Sequence, residues 1–329
     1  MTARASDWKI LFETNPCLPF KKIYRAFEGH LVGGRMAFRA PSTLYVTEGD
    51  FGWDGVYSKI AVSQLPDYDY GKVMEIDLST NSARQISSGN RNMQGVLIDD
   101  KGQLWVAEHG HRGGDELNRI VEGENYGWPL VTLGTRYNGM PLPDVRSVGR
   151  HDGFEPPVYA WLPSIAPSNL IQVKNFNEAW DGDFLLATLK DESLYRIRIV
   201  HDSVQFAERI PIGQRVRYVQ QLPDGEIVLW TDNHALAFLS VGTDDLNEAL
   251  VEKYLERTPQ TKTERLQLQT AIETCRECHS YGVVASLSAP SLGLVFGEKV
   301  GSGSFANYSP AMRGHGGALD KGRADEIPR

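Results

Sequence analysis

Four times within its first 243 residues the chain repeats one short phrase, an apolar run that closes into a polar loop. The copies are Leu44-Tyr45-Val46-Thr47-Glu48-Gly49-Asp50, Leu104-Trp105-Val106-Ala107-Glu108-His109-Gly110, Phe184-Leu185-Leu186-Ala187-Thr188-Leu189-Lys190 and Ile227-Val228-Leu229-Trp230-Thr231-Asp232-Asn233. Each run has strand length, and Asp/Gly/Pro turns such as Asp99-Asp100-Lys101-Gly102 separate such runs. Helical periodicity is nearly absent over this stretch. Recurring strand units predict an all-β architecture made of propeller blades. The markers at 44, 104, 184 and 227 stand 60, 80 and 43 residues apart. Only the last interval matches a bare blade of about 40 to 45 residues, so the other units must carry long loops, and four to five blades are expected.

After residue 243 the period changes. Leu246, Leu250, Val251, Tyr254 and Leu255 fall at helical spacing behind Asp244 and Asp245, and Pro259 ends the run. A second helical stretch from Glu264 leads into Cys275, and the rest of the chain to Arg329 is Gly/Ser-rich. The expected division is a β-domain over 1–243, a helical linker over 244–262 and a small helical domain over 263–329. A net charge of −8 without a dense Lys/Arg run argues against a nucleic-acid partner. No apolar stretch approaches the roughly 18 residues of a membrane-spanning helix. The first 22 residues lack the apolar core of a secretory signal.

Cys275-Arg276-Glu277-Cys278-His279 has the order and spacing of covalent haem attachment, in which two thiols join the vinyl groups and the imidazole becomes the proximal iron ligand. Zinc is the rival reading, but it wants further ligands and only His315 is near in sequence. The surrounding tail, with Ala289-Pro290-Ser291-Leu292 and Phe305-Ala306-Asn307-Tyr308-Ser309-Pro310-Ala311-Met312, resembles a class I cytochrome c over about residues 264 to 327. That resemblance implies haem c bound by Cys275, Cys278 and His279, with the Pro290 carbonyl behind the histidine. The segment that usually supplies the axial methionine would follow the last residue, so the sixth position falls to Met312 or a histidine such as His315, or stays open.

The β-domain carries a second set of motifs. They are His30-Leu31-Val32-Gly33-Gly34-Arg35, Gly89-Asn90-Arg91-Asn92-Met93-Gln94-Gly95, Glu108-His109-Gly110-His111-Arg112-Gly113-Gly114-Asp115-Glu116-Leu117-Asn118, Asn125-Tyr126-Gly127-Trp128-Pro129, Trp161-Leu162-Pro163-Ser164-Ile165-Ala166-Pro167-Ser168, Leu189-Lys190 and Arg215-Val216-Arg217. Over about residues 20 to 241 these resemble the soluble PQQ-dependent aldose sugar dehydrogenases, the glucose/sorbosone dehydrogenase family. The resemblance implies a six-bladed propeller fold, here short of its first blades and followed by a cytochrome short of its end. It also implies oxidation of an aldose or related sugar aldehyde at PQQ, with calcium, in the periplasm.

PQQ carries three carboxylates and an ortho-quinone, so its pocket needs fixed cations and planar donors. Lys190, Arg215 and Arg217 would supply the cations, and Arg91, Asn92 and Gln94 further hydrogen bonds. Strand alternation puts Arg215 and Arg217 on one face while Val216 points into the sheet packing. Taken alone, such a pair reads as a solvated strand face. By resemblance the carbonyls of Gly110 and His111 hold the cofactor calcium, Glu116 and Tyr126 belong to a second calcium site, and Tyr137 lines the cofactor. Calcium suits carbonyl and carboxylate oxygens in a loose shell. Proline is commoner in the family at position 111, a change that a carbonyl ligand tolerates.

His30 is the expected general base, because an imidazole titrates near neutral pH and can take the proton of a sugar's anomeric hydroxyl. Electrons would leave singly through the tethered haem to a downstream cytochrome or quinone chain. Two other classes stay open at this point. One is a non-enzymatic electron-transfer or binding module whose propeller has lost PQQ. The other is a calcium-dependent propeller lactonase, which has no use for the three cations or a haem.

Overall fold

A computed structural model describes residues 8–18, 30–56, 58–142, 147–240, 261–276, 279, 308, 310 and 313. The first sheet is an antiparallel meander of β1 (Gly33–Arg39), β2 (Thr43–Glu48), β3 (Lys72–Asp77) and β4 (Ser82–Gln85). The second contains β5 (Met93–Ile98), β6 (Leu104–Glu108) and β7 (Asp115–Arg119). A long connection bearing the short parallel pair β8 (Val131–Thr132) and β9 (Ser147–Val148) then returns the chain as outer strand β10 (Tyr159–Trp161). The third has β11 (Pro167–Gln172), β12 (Phe184–Thr188), β13 (Ser193–Val200) and β14 (Ser203–Pro211). The fourth has three strands, β15 (Val216–Gln221), β16 (Ile227–Thr231) and β17 (Leu236–Leu239).

The four recurrent phrases are therefore the second strands, β2, β6, β12 and β16, of four successive sheets. First strands stand side by side, β1 against β5, β5 against β11 and β11 against β15. This is a propeller-like arrangement of all-β sheets, and among the described residues no single sheet closes on itself. The 60-residue interval is filled by the connection from β2 to β3, which includes a 3-10 turn at Val62–Gln64. The 80-residue interval is filled by the excursion between β7 and β10.

Each pair of neighbouring sheets shares a dry layer. Tyr45, Val73, Met93, Val96 and Val106 fill the first, and Trp105, Leu117, Leu170, Phe184, Leu186 and Ile197 the second. Leu185, Leu194, Val219, Ile227 and Leu229 are among those that fill the third. The continuous apolar run of β12 follows directly, since Phe184 and Leu186 face one layer while Leu185 and Ala187 face the next. At the two ends of the series the pattern alternates instead. Met36 and Phe38 on β1 and Trp230, Leu236 and Phe238 on β16 and β17 are exposed, each more than half, and among the described residues no sheet covers them.

The chain divides into two compact units, Met1–Val241 and Gly242–Arg329. In the second, one helix is described, α1 (Lys262–Arg276). Thr261 and Glu264 form a reciprocal cap at its start: the Glu264 carboxylate accepts from the Thr261 N–H at 2.7 Å, and the Thr261 hydroxyl accepts from the Glu264 N–H at 3.3 Å. The helix thus begins two residues before the expected Glu264. The predicted linker helix over 244–258 lies outside the described residues.

Candidate active site

Asp115, at the start of β7 and 1% exposed, ties two loops together. Its Oδ1 accepts from the Gly110 N–H at 2.8 Å, and its Oδ2 accepts from the Ile165 and Ala166 N–H groups at 2.7 and 2.6 Å. The second loop then carries a third, because the Leu189 N–H donates to Ala166 O at 2.8 Å and the Lys190 N–H to Ile165 O at 3.0 Å. Motifs about 50 and 75 residues apart in sequence thereby meet at one end of the sheets. Glycine is required at 110, where a Cβ would stand 2.3 Å from the Gly114 carbonyl oxygen.

Arg91 lies on this floor. Its Nη1 donates to His109 O at 3.1 Å and to Gly110 O at 2.5 Å, while its guanidinium sits 5.2 Å from the centre of the Trp128 ring. Trp128 Nε1 in turn donates to Asp50 Oδ2 at 2.7 Å, and the Asp50 N–H donates to Arg91 O at 2.8 Å. A recess here is lined by Arg91, Glu108, Gly110, Glu116, Tyr126 and Trp128. Four residues expected from sequence, Arg91, Gly110, Glu116 and Tyr126, are thus brought together. The ring centre of His111 lies 4.5 Å from that of Tyr137, with the two planes tilted by 42°, and Tyr137 is 62% exposed at the rim. Burial, reinforced by Arg91, lowers the His111 pKa to about 4.

His30 is exposed at the head of the β1 segment. The chain after it is moulded onto the turn that follows β2: the Phe51 N–H donates to Leu31 O and the Gly49 N–H to Val32 O, both at 3.1 Å. Gly33 has φ +65, and a Cβ there would lie 2.7 Å from Thr47 O. The glycine is therefore needed for the close approach of the neighbouring strand. Asn92 Oδ1 accepts from the Gly33 N–H at 3.2 Å and from Gln94 Nε2 at 2.9 Å, so these two side chains brace the His30 segment.

Lys190 is exposed at the end of its loop. Arg215 and Arg217 lie on one face, as alternation requires, with Val216 fully buried between them. Both grip Asp232: Arg215 Nε donates to Oδ2 at 2.7 Å, and Arg217 donates through Nε to Oδ1 and through Nη2 to Oδ2 at 3.0 Å. Arg217 reaches the floor electrically, since its charge joins burial and Arg91 in lowering the His109 pKa. Arg35 crosses from β1, donating through Nη2 to Ser168 O at 2.6 Å and to Arg217 O at 3.4 Å, with its guanidinium 5.2 Å from the Tyr218 ring centre. Asp50, Asp115, Asp232 and Arg35 are site residues that pattern reasoning missed.

The donor set fits the expected ligands. Glu116 is buried rather than a surface acid, and beside it Asn118 Nδ2 donates to Glu116 Oε2 at 3.3 Å and to Glu108 Oε1 at 2.9 Å. Asn118 Oδ1 is buried with no hydrogen-bond partner, an unused acceptor beside two carboxylates that suits a hard divalent cation, and His151 Nε2 lies 3.6 Å from Glu116 Oε1. Gly110 O accepts a hydrogen bond from the Arg91 guanidinium, which a calcium ion on that carbonyl would have to displace. Tyr126 is buried with its hydroxyl engaged, donating to Arg119 O at 2.6 Å. For a tricarboxylate, three cations stand at accessible positions, and Arg91 Nε is buried without a partner.

Burial also sets an expected pH response. It raises the Glu48 pKa to about 7, aided by Asp69, and that of Asp50 to about 6. Both carboxyls hold protons more tightly in the fold than in the unfolded chain and lose that stabilisation as pH rises from about 4 to about 7, while the lowered His111 pKa returns part of it between about 4 and 6.5. Lys72 Nζ is buried on the carbonyls of Val62, Ser63 and Tyr70, and desolvation lowers its pKa to about 8. It adds stability back between about 8 and 10.5. Thermal unfolding across this range is expected to show a minimum near pH 8, and a midpoint that rises steadily from pH 5 to pH 8 would contradict these assignments.

In the second unit, Cys275 lies in the last turn of α1 with an exposed side chain, and the His279 N–H donates to Cys275 O at 2.9 Å. Cys278, Pro290, Met312 and His315 lie outside the described residues, as do the greater parts of the expected linker and cytochrome.

The Glucose / Sorbosone dehydrogenase family model matches residues 3–239. Aldose sugar dehydrogenase YliI of Escherichia coli is 30% identical over 233 residues, covering 68% of this chain and 62% of the relative. Quinoprotein glucose dehydrogenase B of Acinetobacter calcoaceticus is 23% identical over 273 residues, covering 59% and 57%. An uncharacterized Synechocystis protein, slr1608, is 31% identical over 252 residues, covering 70% and 58%. The chain thus spans about three fifths of the length of these relatives. Among solved structures, the apo form of the soluble E. coli aldose sugar dehydrogenase superposes with a TM-score of 0.62 at 28% identity, covering 71% of this chain and 68% of that one. Family model, relatives and sheet arrangement agree, and the chain belongs to the glucose/sorbosone dehydrogenase family.

Proposed function

We propose that this chain oxidises an aldose, or a related polyhydroxy aldehyde, at PQQ, and that a c-type haem on its second unit carries the electrons away. The observation that carries the reading is the loop junction on Asp115, which gathers the Gly110 carbonyl, the Lys190 loop and the recess of Arg91 into one place. Lys190, Arg215 and Arg217 hold the carboxylates of the cofactor, and Arg91, Asn92 and Gln94 brace it, with Tyr137 at the rim. The carbonyls of Gly110 and His111 take one calcium, and Glu116 with Tyr126 a second. PQQ, when bound, supplies a two-electron acceptor polarised by the adjacent cation. His30 receives the proton of the anomeric hydroxyl as the C1 hydrogen leaves. Cys275, Cys278 and His279 hold the haem, a one-electron outlet kept at high local concentration by the tether. A covalently attached haem would suit an exported, periplasmic setting, with a cytochrome or quinone chain as the final acceptor.

The reading is tested by adding PQQ and calcium to the purified chain and following reduction of an artificial dye with a panel of aldoses. Dye reduction is expected only with both cofactors present. Bound PQQ without dye reduction by any sugar would overturn the enzymatic reading. Expression with a haem-attachment system is expected to give a covalent haem spectrum that Cys275→Ala abolishes.

A further inference from the structure

Asp232 lies in the polar end of the fourth recurrent phrase and belongs to none of the family motifs, yet it is the partner of both exposed arginines at the site. It sits in the turn between β16 and β17, and its N–H donates to Arg215 O at 3.0 Å, so backbone as well as side chain is pinned to β15. Its Oδ2 accepts from Arg215 Nε at 2.7 Å and from Arg217 Nη2 at 3.0 Å, and its Oδ1 accepts from Arg217 Nε. Those bonds consume the inner edges of two guanidinium groups. The remaining N–H groups, Nη1 and Nη2 of Arg215 and Nη1 of Arg217, have no hydrogen-bond partner among the described residues. The Arg217 carbonyl is held from the other side by Arg35, which fixes the strand beneath the pair.

A single carboxylate that bridges two arginines does two things. It removes the rotamer freedom that each long side chain would otherwise lose on meeting a ligand, and it cancels one of the two like charges that would push the guanidiniums apart. We propose that Asp232 is a positioning residue that presents Arg215 and Arg217 as one preformed, forked cation for a carboxylate-bearing planar ligand. The proposal rests on the PQQ reading and adds to it the group that orders the cations. Asp232 touches neither ligand nor substrate in this scheme; it acts through the arginines.

The test measures PQQ binding at equilibrium, in calcium, for the full chain and for Asp232→Ala, Asp232→Asn and Asp232→Glu, with thermal unfolding recorded for each. Removing the carboxylate is expected to weaken PQQ binding about tenfold, the scale of releasing two held side chains. Glu is expected to restore part of the loss. Phenylglyoxal labelling supplies a second readout: Arg215 and Arg217 should react faster in Asp232→Ala than in the parent chain, and bound PQQ should protect them in the parent. Unchanged PQQ affinity together with unchanged labelling in a folded Asp232→Ala overturns the proposal and leaves the PQQ reading standing. Failure of the parent chain to bind PQQ overturns both. A loss that tracks a lowered unfolding temperature and is not eased by Glu marks Asp232 as a structural residue only, which also overturns it.

Discussion

Asp115→Ala is expected to lower the stability of the β unit by about 3 to 5 kcal/mol, because three backbone donors lose their acceptor at once. Gly110 and Ile165 are buried, and each buried N–H left without a partner costs roughly 1 to 3 kcal/mol. Asn is no rescue, since its amide would turn a donor toward one of the loops. Denaturant unfolding of the variant measures the loss, and the same sample should show weakened calcium and PQQ binding, as the Gly110 and Lys190 loops are no longer held together. A loss below about 1 kcal/mol would mean that the loops are organised by something other than this carboxylate.

His30→Asn carries the second large effect. If the imidazole takes the anomeric proton, turnover should fall by roughly 10² to 10⁴, the usual contribution of a positioned general base. Affinity for PQQ should hold within about threefold, because the segment is anchored through Gly33, Gly49 and Asn92 and not through the His30 side chain. Steady-state turnover with a dye acceptor, alongside equilibrium PQQ binding, separates the two quantities. Turnover within tenfold of the parent would remove His30 from the chemistry.

Much of this architecture could be read in the chain because local pattern and tertiary environment coincide. A strand sandwiched between two apolar layers must be apolar on both faces, and the uninterrupted Phe184-Leu185-Leu186-Ala187 announces that directly. The same logic put Arg215 and Arg217 on one face with Val216 inside. What escaped notice depends on distance in space. Asp115 acts on residues 50 positions away, and nothing in a Gly-Gly-Asp-Glu string reveals that its carboxylate closes a loop of another blade. Asp232 lies 15 residues beyond Arg217 and meets it only because the β15–β16 hairpin folds the two together. Glu116 shows the same limit, since an acid in a turn-rich string gives no sign that it will be 8% exposed beside Asn118. One local signal was available but unread, Thr261-x-x-Glu264, which sets the start of α1 two residues earlier than hydrophobic spacing alone suggests.

A crystal of the chain grown with calcium and soaked in PQQ measures the central claim most directly. The account predicts the quinone seated over the Gly110 loop, with its carboxylates on Lys190, Arg215 and Arg217. Density for the quinone elsewhere, with those three side chains directed into open solvent, would contradict it.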